Sequence, residues 1–353
     1  MLLPTTVSTV WILAMVSLLC LGSWANTLKL SKKWRFEYFY CDFVMGIVLS
    51  AGAAAFLLGS AHPQDLTFQD NLLLAGYRKM AWALVSGVVF NLGSLLLLAA
   101  MTVSGMSVAF PIALGVALAI GTAWDFFAGA QASGVLIAGG IVLLLAAVVS
   151  VVLAYRWRIQ DERQAAQTPL RPDPRVKSSR AKQTGGALAI VLAVFGGIAL
   201  ALFPAVLVQA TGGENGLAPY SSVLLLSVSA LLTAPFFVLF FITFPVATAP
   251  GTPAGYFGGN KKQHLMGIVG GFLWTAGMLS GLLVAGAPAA AQANPLIQFV
   301  LSHAAAVVAA AWGLLAWHEF RGSGDRVRML VAGMLVLFLC GLGVVAFAFS
   351  SAK

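Results

Sequence analysis

Ten stretches of this chain are each long and apolar enough to cross a lipid bilayer: residues 6–28, 36–59, 79–101, 105–127, 132–156, 185–209, 219–243, 263–285, 294–316 and 327–349. A spanning helix needs about 20 apolar residues. No alternating strand pattern competes with these runs, which argues against a closed barrel. Charge points the same way. Only 9% of the 353 residues are charged, whereas a soluble domain carries about 25%. The expected fold is an all-α integral membrane protein of ten transmembrane helices, with the lipid bilayer as its first partner. Cys20, Cys41 and Cys340 lie in or beside apolar runs without CxxC spacing. They read as packing residues, not as a disulfide framework or a zinc site.

The first run ends in Ser23-Trp24-Ala25, which has the small-x-small form of a signal-peptidase site. It lacks a basic segment before it, its basic cluster follows it, and nine further spans come after. It therefore reads as a first membrane helix rather than a removed export signal. Residues 157–184 form the long polar segment, rich in Pro, Gln, Ser and charge, and read as a solvated linker. The expected domains are a first five-helix repeat at 1–156, this basic linker, and a second five-helix repeat at 185–353.

Basic residues orient the spans. Segments 29–35, 156–182, 261–262 and 321–328 hold all of the 20 Lys and Arg residues except Arg78, Lys79 and Lys353. An excess of Lys and Arg marks cytoplasmic loops. Both termini are therefore expected outside and 157–184 in the cytoplasm of a multi-pass inner or plasma membrane protein. The same rule accounts for the net charge of +9 without a nucleic-acid partner.

The two sides of the linker resemble each other. An offset of 194 aligns 124-WDFFAGAQASGVLIAGGIVLL-144 with 318-HEFRGSGDRVRMLVAGMLVLF-338, pairing Asp125 with Glu319 and Gly139 with Gly333. An offset of 184 aligns Gly87 and Gly93 with Gly271 and Gly277. Five spans per repeat is an odd number, so the copies must be inverted relative to the membrane. Inverted repeats supply a physical route to alternating access.

Three stretches, 21-LGSWANTLKL-30 with the following FEYFYCDF, 261-KKQHLMGIVGGFLW-274 and 294-NPLIQFVLSHAAAVVAAAWGLLAWHEFRG-322, resemble the ten-helix drug/metabolite transporter superfamily. Within it the chain is similar to glucose/ribose porters, rhamnose–proton symporters and plant ureide permeases. The resemblance implies a carrier of small solutes and places the end of the first helix, Trp24 and Asn26, on the substrate pathway; Trp24 reads equally as an interfacial belt residue. Ureide permeases characteristically carry a phosphate-loop motif in the central loop, and 157–184 contains none. The nearest imitation, 255-GYFGGNKK-262, lacks the second Gly and the Ser/Thr. No nucleotide partner, cofactor or metal is expected.

Polar groups inside apolar spans are the other site candidates. His303 lies nine residues past Asn294, roughly 13.5 Å into a ~30 Å core. It is a candidate solute contact or proton carrier, or a neutral structural histidine. Gln298 and Ser302 are four apart beside it. Asn91, Trp274 and Thr275 are expected near mid-depth, where an aromatic plane beside amide and hydroxyl groups would suit a polyol or a planar amide; packing against backbone carbonyls is the alternative. Asp42, about 9 Å into the second span, is the candidate proton carrier, unless Lys29 or Arg35 fixes it in a bridge. Glu37, nearer the headgroups, is the second coupling candidate or an interfacial charge. Tyr38 and Tyr40 suit an aromatic belt. Glu319 reads as structural, pairing with Arg321 or capping the next helix. No catalytic constellation has useful spacing, so an enzyme is not expected. The leading reading is a secondary transporter of a small polar solute, a sugar before a ureide or heterocycle, coupled to protons. An exporter of metabolites or drugs, and a receptor or scaffold that binds without translocating, are the alternatives.

Overall fold

The computed structural model describes residues 1–32, 34–61, 66–167, 175–246, 250–291 and 294–351, with no side chains at 165–167, 175–185 and 295. No strand occurs among the described residues. The helices are α1 Val7–Ser23, α2 Asn26–Leu30, α3 Phe36–Leu57, α4 Phe68–Ser104, α5 Met106–Phe127, α6 Gly134–Gln167, α7 Arg175–Thr211, α8 Pro219–Thr243, α9 Lys261–Ala285, α10 Pro295–His303, α11 Ala305–Ala311 and α12 Asp325–Ser350. Among the described residues, eight helices are long and apolar enough to span a membrane, and α10 with its continuation counts as a ninth if the bent pair is one span. The first apolar helix, α1, is shorter at 17 residues.

Three departures from the expected spans have local causes. Gly76, at φ 73°, interrupts α4, so its first turns form a separate short helix before the expected span. The expected span 294–316 is bent by 46° between His303 and Ala305. There Ser302 Oγ donates to the Gln298 carbonyl at 2.9 Å, and His303 Nδ1 donates to the Phe299 carbonyl at 2.9 Å. Two successive side chains bonding four residues back compete with the helix ladder and bend it. A π-helical turn at Trp312–Ala316 follows. Finally, much of 157–184 is helical. α6 runs on to Gln167 and α7 begins at Arg175. Residues 157–167 are rich in good helix formers, and Arg158 Nε pairs with Glu162 at 3.1 Å one turn on. Arg171 lies outside the described residues.

The chain packs as two compact units. The first draws on Met1–Leu95, Ala199–Pro245 and Ala249–Ala305, and the second on Leu96–Ile198 and Ala306–Lys353. Each unit takes helices from both sides of 157–184.

In the first unit α3 packs on α8 and α9, and α1 on α9 and α10. Glycines set the closest crossings. Gly271 of α9 lies against the Phe43 carbonyl of α3, Gly46 of α3 against the Ile268 carbonyl, and Gly87 of α4 against the Leu226 carbonyl of α8. A side chain at any of the three would overlap backbone, so the helices approach only because these positions are bare. One end of the unit is tied by Asn71, which donates to the Gly216 carbonyl at 3.1 Å and accepts from the Ala218 N–H at 2.8 Å. Lys79 Nζ there donates to the carbonyls of Gln209 and Gly212, placing a cation at the C-terminus of α7.

In the second unit α6 packs along α12, with Gly140 against Val345 and Gly341 against Leu144. Glu319 is half-buried and structural here. Its carboxylate accepts the backbone N–H groups of Met106 and Ser107 at 2.8 and 2.7 Å, and the Ser107 hydroxyl as well. It therefore caps α5, a helix more than 200 residues earlier in the chain, rather than the helix that follows it. A carboxylate on an uncapped helix N-terminus meets both its orphan donors and its dipole.

Candidate functional site

The charged centre of the first unit is Asp42. It sits on the second turn of α3, 3% exposed. Its oxygens accept from Tyr256 Oη at 2.5 Å and face His264 Nδ1 at 2.9 and 3.1 Å. The Trp34 indole N–H also approaches the carboxylate, outside hydrogen-bond geometry, and is buried without a partner among the described residues. The sequence reading offered Lys29 or Arg35 as the fixed partner of Asp42. The partners in place are an imidazole and a phenol.

Local sequence explains how they arrive. Asn260 caps α9, accepting the Gln263 N–H at 2.9 Å, while Gln263 accepts the Asn260 N–H at 2.9 Å. This reciprocal box starts α9 about two turns before Gly267, and Gly267 lets the helix lie directly on the Cβ of Asp42. His264 is one turn earlier and so faces the same carboxylate. Pro253–Gly258 forms a 3₁₀ turn ahead of α9 and carries Tyr256 across the cluster. Burial first, then the Asp42 carboxylate, push the Tyr256 phenol well above the usual phenol range. It is a donor throughout the physiological pH range. The rings of Trp34, Tyr256 and His264 pack edge-on or tilted, His264 lying 5.3 Å from Trp34 and 4.8 Å from Tyr256.

Glu37, expected near the headgroups, is fully buried and bound to Arg35 Nη2 at 2.8 Å. The ion pair allows the burial, since the guanidinium, lying over the Tyr38 ring at 5.5 Å, supplies the counter-charge. Tyr38 and Tyr40 are not belt residues. Tyr38 donates to the Thr252 carbonyl at 2.6 Å and Tyr40 to Asn91 Oδ1 at 2.7 Å, and both are buried.

The remaining sequence candidates divide between scaffold and break. Asn91, 0% exposed, gives its amide hydrogens to the Ala230 carbonyl and Thr233 Oγ1, each at 2.7 Å. Thr275 donates to the Ile47 carbonyl at 3.4 Å. Trp274 packs on Phe90 with ring centroids 4.2 Å apart, and Trp24 stacks on Phe43 at 4.6 Å. Asn26 donates to the Ser23 carbonyl at 2.9 Å. Gln298 donates to the Val284 carbonyl at 3.3 Å. His303, expected at mid-depth of a continuous span, is exposed and stacked on Phe299 at the break after α10. Sequence reasoning missed His264 and Tyr256. The usable signals were a histidine at the start of a span, in 261-KKQHLMG-267, and a tyrosine in the glycine-rich stretch rejected as a phosphate loop.

This geometry sets a buried carboxylate against an imidazole and a phenol. Similarity to known proteins agrees with a transport role. The chain is 22% identical to ureide permease 1 of Arabidopsis thaliana over 94% of both chains. Ureide permease 2 of the same plant is 22% identical over 94% of both. Ureide permease 3 is 29% identical over 32% of this chain and 33% of its own length. No family model matches the chain, and no solved structure matches it. The likeness to permeases along nearly the whole chain, with the apolar helices, supports a multi-pass membrane transporter rather than an enzyme.

Proposed function

We propose that this protein is a proton-coupled secondary transporter that moves a small polar solute of the ureide or related heterocycle class by alternating access. The likeness to two ureide permeases over 94% of both chains carries the solute class. A monosaccharide, the first choice from sequence, has no specific contact in its favour. The Asp42–His264 pair supports coupling. A carboxylate this deeply buried is costly to ionise alone, and an imidazole beside it offers a second place for the proton. Glu37, already neutralised by Arg35, is the weaker coupling candidate. Trp24, Asn26, Gln298 and His303 are the proposed solute contacts, the last two on α10 ahead of the helix break, where discontinuous spans place binding sites. The saturated bonds of Asn91 and Thr275 favour support of Trp274 over direct contact.

Alternating access is favoured by reciprocal packing in the first unit. Gly87 meets Leu226 and Gly271 meets Phe43; Asn91 bonds Ala230 and Thr275 bonds Ile47. Both exchanges obey one pair of offsets, 184 from α4 to α9 and 183 from α3 to α8. Phe90 and Trp274, equivalent by the same 184, touch each other. Contacts that exchange partners under one operation are what an internal two-fold axis produces, which supports two inverted five-helix repeats within ten spans. Lys29, Lys32, Lys261 and Lys262, near the Asp42 cluster, support a cytoplasmic position for that end of the first unit.

The test is uptake and counterflow in sealed proteoliposomes, with and without an imposed pH gradient. The panel holds a linear ureide, a cyclic ureide, a nucleobase and two monosaccharides. A ureide or heterocycle is expected to accumulate with the gradient. Asp42→Asn is expected to keep counterflow and lose gradient-driven accumulation. Unchanged accumulation by that variant removes Asp42 from coupling. Binding without accumulation or counterflow of any compound leaves the receptor reading instead.

A further inference from the structure

We propose that residues 250–259 form a gate over the coupling carboxylate, and that Asp42 latches it shut through Tyr256. The inference rests on the transport reading and names how access to Asp42 is controlled from the basic end of the first unit.

The segment is a strap with few ties. None of its residues in the 3₁₀ turn is buried, and Phe257 is 84% exposed. Two phenols fasten it. Tyr38 Oη donates to the Thr252 carbonyl at 2.6 Å, and Tyr256 Oη donates to Asp42 at 2.5 Å. Three glycines at four-residue intervals let it seat: Gly251 against the Arg35 guanidinium, Gly255 against the Tyr38 hydroxyl, and Gly259 against Trp34 and His264. Seated, it helps keep the Asp42 side chain 4% exposed while His264 stays at 26%. Segments held by a few bonds over little buried surface are the ones that open locally.

The latch is built to respond to charge. A 2.5 Å phenol–carboxylate bond is in the range of charge-assisted O–H···O⁻ contacts, about twice as strong as neutral ones. A proton on Asp42 removes that advantage and frees Tyr256. The groups that face or influence this centre are His264 on α9, Tyr256 on the strap, Trp34 ahead of α3, and Cys41 on α3 itself. Arg35 and Glu37 neutralise one another beside it. The Trp34 N–H, without a hydrogen-bond partner among the described residues, lies by the carboxylate as a second donor that can replace Tyr256 as the strap lifts. The offsets of 183 and 184 place Leu225 and Met80 where a second copy of Asp42 and His264 would stand. The latch therefore has no symmetry copy at those positions, giving the two ends different gates.

The experiment uses the full chain with Cys20, Cys41 and Cys340 changed to Ala, carrying Tyr38→Cys and Gly255→Cys. A short bis-methanethiosulfonate is expected to bridge the pair and stop accumulation and counterflow, and a reductant to restore both. Bridged protein that transports at the unbridged rate overturns the gate. Failure of the unbridged protein and of the wild type to move any compound counts against the transport reading instead. The latch is read independently by hydrogen exchange. Tyr256→Phe is expected to speed exchange of the 250–259 amides about tenfold, the effect of losing one charge-assisted bond, with α9 unchanged. Unaltered exchange in 250–259 overturns the latch whatever the cross-linked protein does.

Discussion

Asn91 separates solute contact from support. Its side chain joins three helices through Tyr40, Ala230 and Thr233, with no exposed surface. Removing it takes from the buried Tyr40 phenol its 2.7 Å partner and from the Ala230 carbonyl its amide donor, at a cost of about 1–3 kcal/mol for a group left unsatisfied. Asn91→Ala is thus expected to lower thermal stability in detergent while leaving the apparent solute affinity of the folded fraction within about twofold. A variant that melts like wild type but loses affinity would place Asn91 in the solute site. Asp42 was legible from sequence because an acidic residue inside an apolar run is conspicuous. Its partners were not, since they lie 214 and 222 residues away and no periodicity links them. His303 misled for the converse reason. Depth counted along a straight helix fails when Ser302 and His303 themselves bend that helix.

The spans were legible as elements because hydrocarbon imposes length and composition on them; their crossings were not. Gly-rich stretches predict close approach without saying to what. In the structure Gly271 meets the backbone of Phe43 and Ile47, and Gly87 meets that of Leu226. Backbone cannot rotate away as a side chain can, so Gly271→Ala and Gly87→Ala should each force α9 from α3, or α4 from α8. Overpacking of this kind costs typically 1–3 kcal/mol. Gly52→Ala, with nothing within 4 Å of the new methyl, is the control. It is expected to be neutral or to stabilise by up to about 1 kcal/mol, because Ala is the better helix former. Thermal melting of the three variants measures this. Because the two crossings are related by one offset, the Gly271 and Gly87 variants should also fall by similar amounts. A severe loss in one and none in the other would count against the proposed internal two-fold.

At the scale of the molecule, the ties within the first unit sort its loops into two ends before any membrane is considered. Lys32 with Gln263, Tyr38 with Thr252 and Asp42 with His264 lie at one. Asn71 with Gly216, Lys79 with Gly212, and Leu2 with Tyr220 lie at the other. The first end carries Lys29, Lys32, Arg35, Lys261 and Lys262. At the second, Lys79 is spent on helix carbonyls. The positive-inside rule makes the first end, and the strap over Asp42 with it, the proposed cytoplasmic side. Single cysteines at Glu214 and Lys262, both on exposed positions, test this in a background lacking Cys20, Cys41 and Cys340. A membrane-impermeant maleimide applied to intact cells is expected to label the cysteine at 214, and the one at 262 only after the cells are opened. Labelling at 262 from outside would invert the protein in the membrane. The latch would then meet protons arriving from the external side, and its loosening by protonation would serve uptake from the opposite compartment.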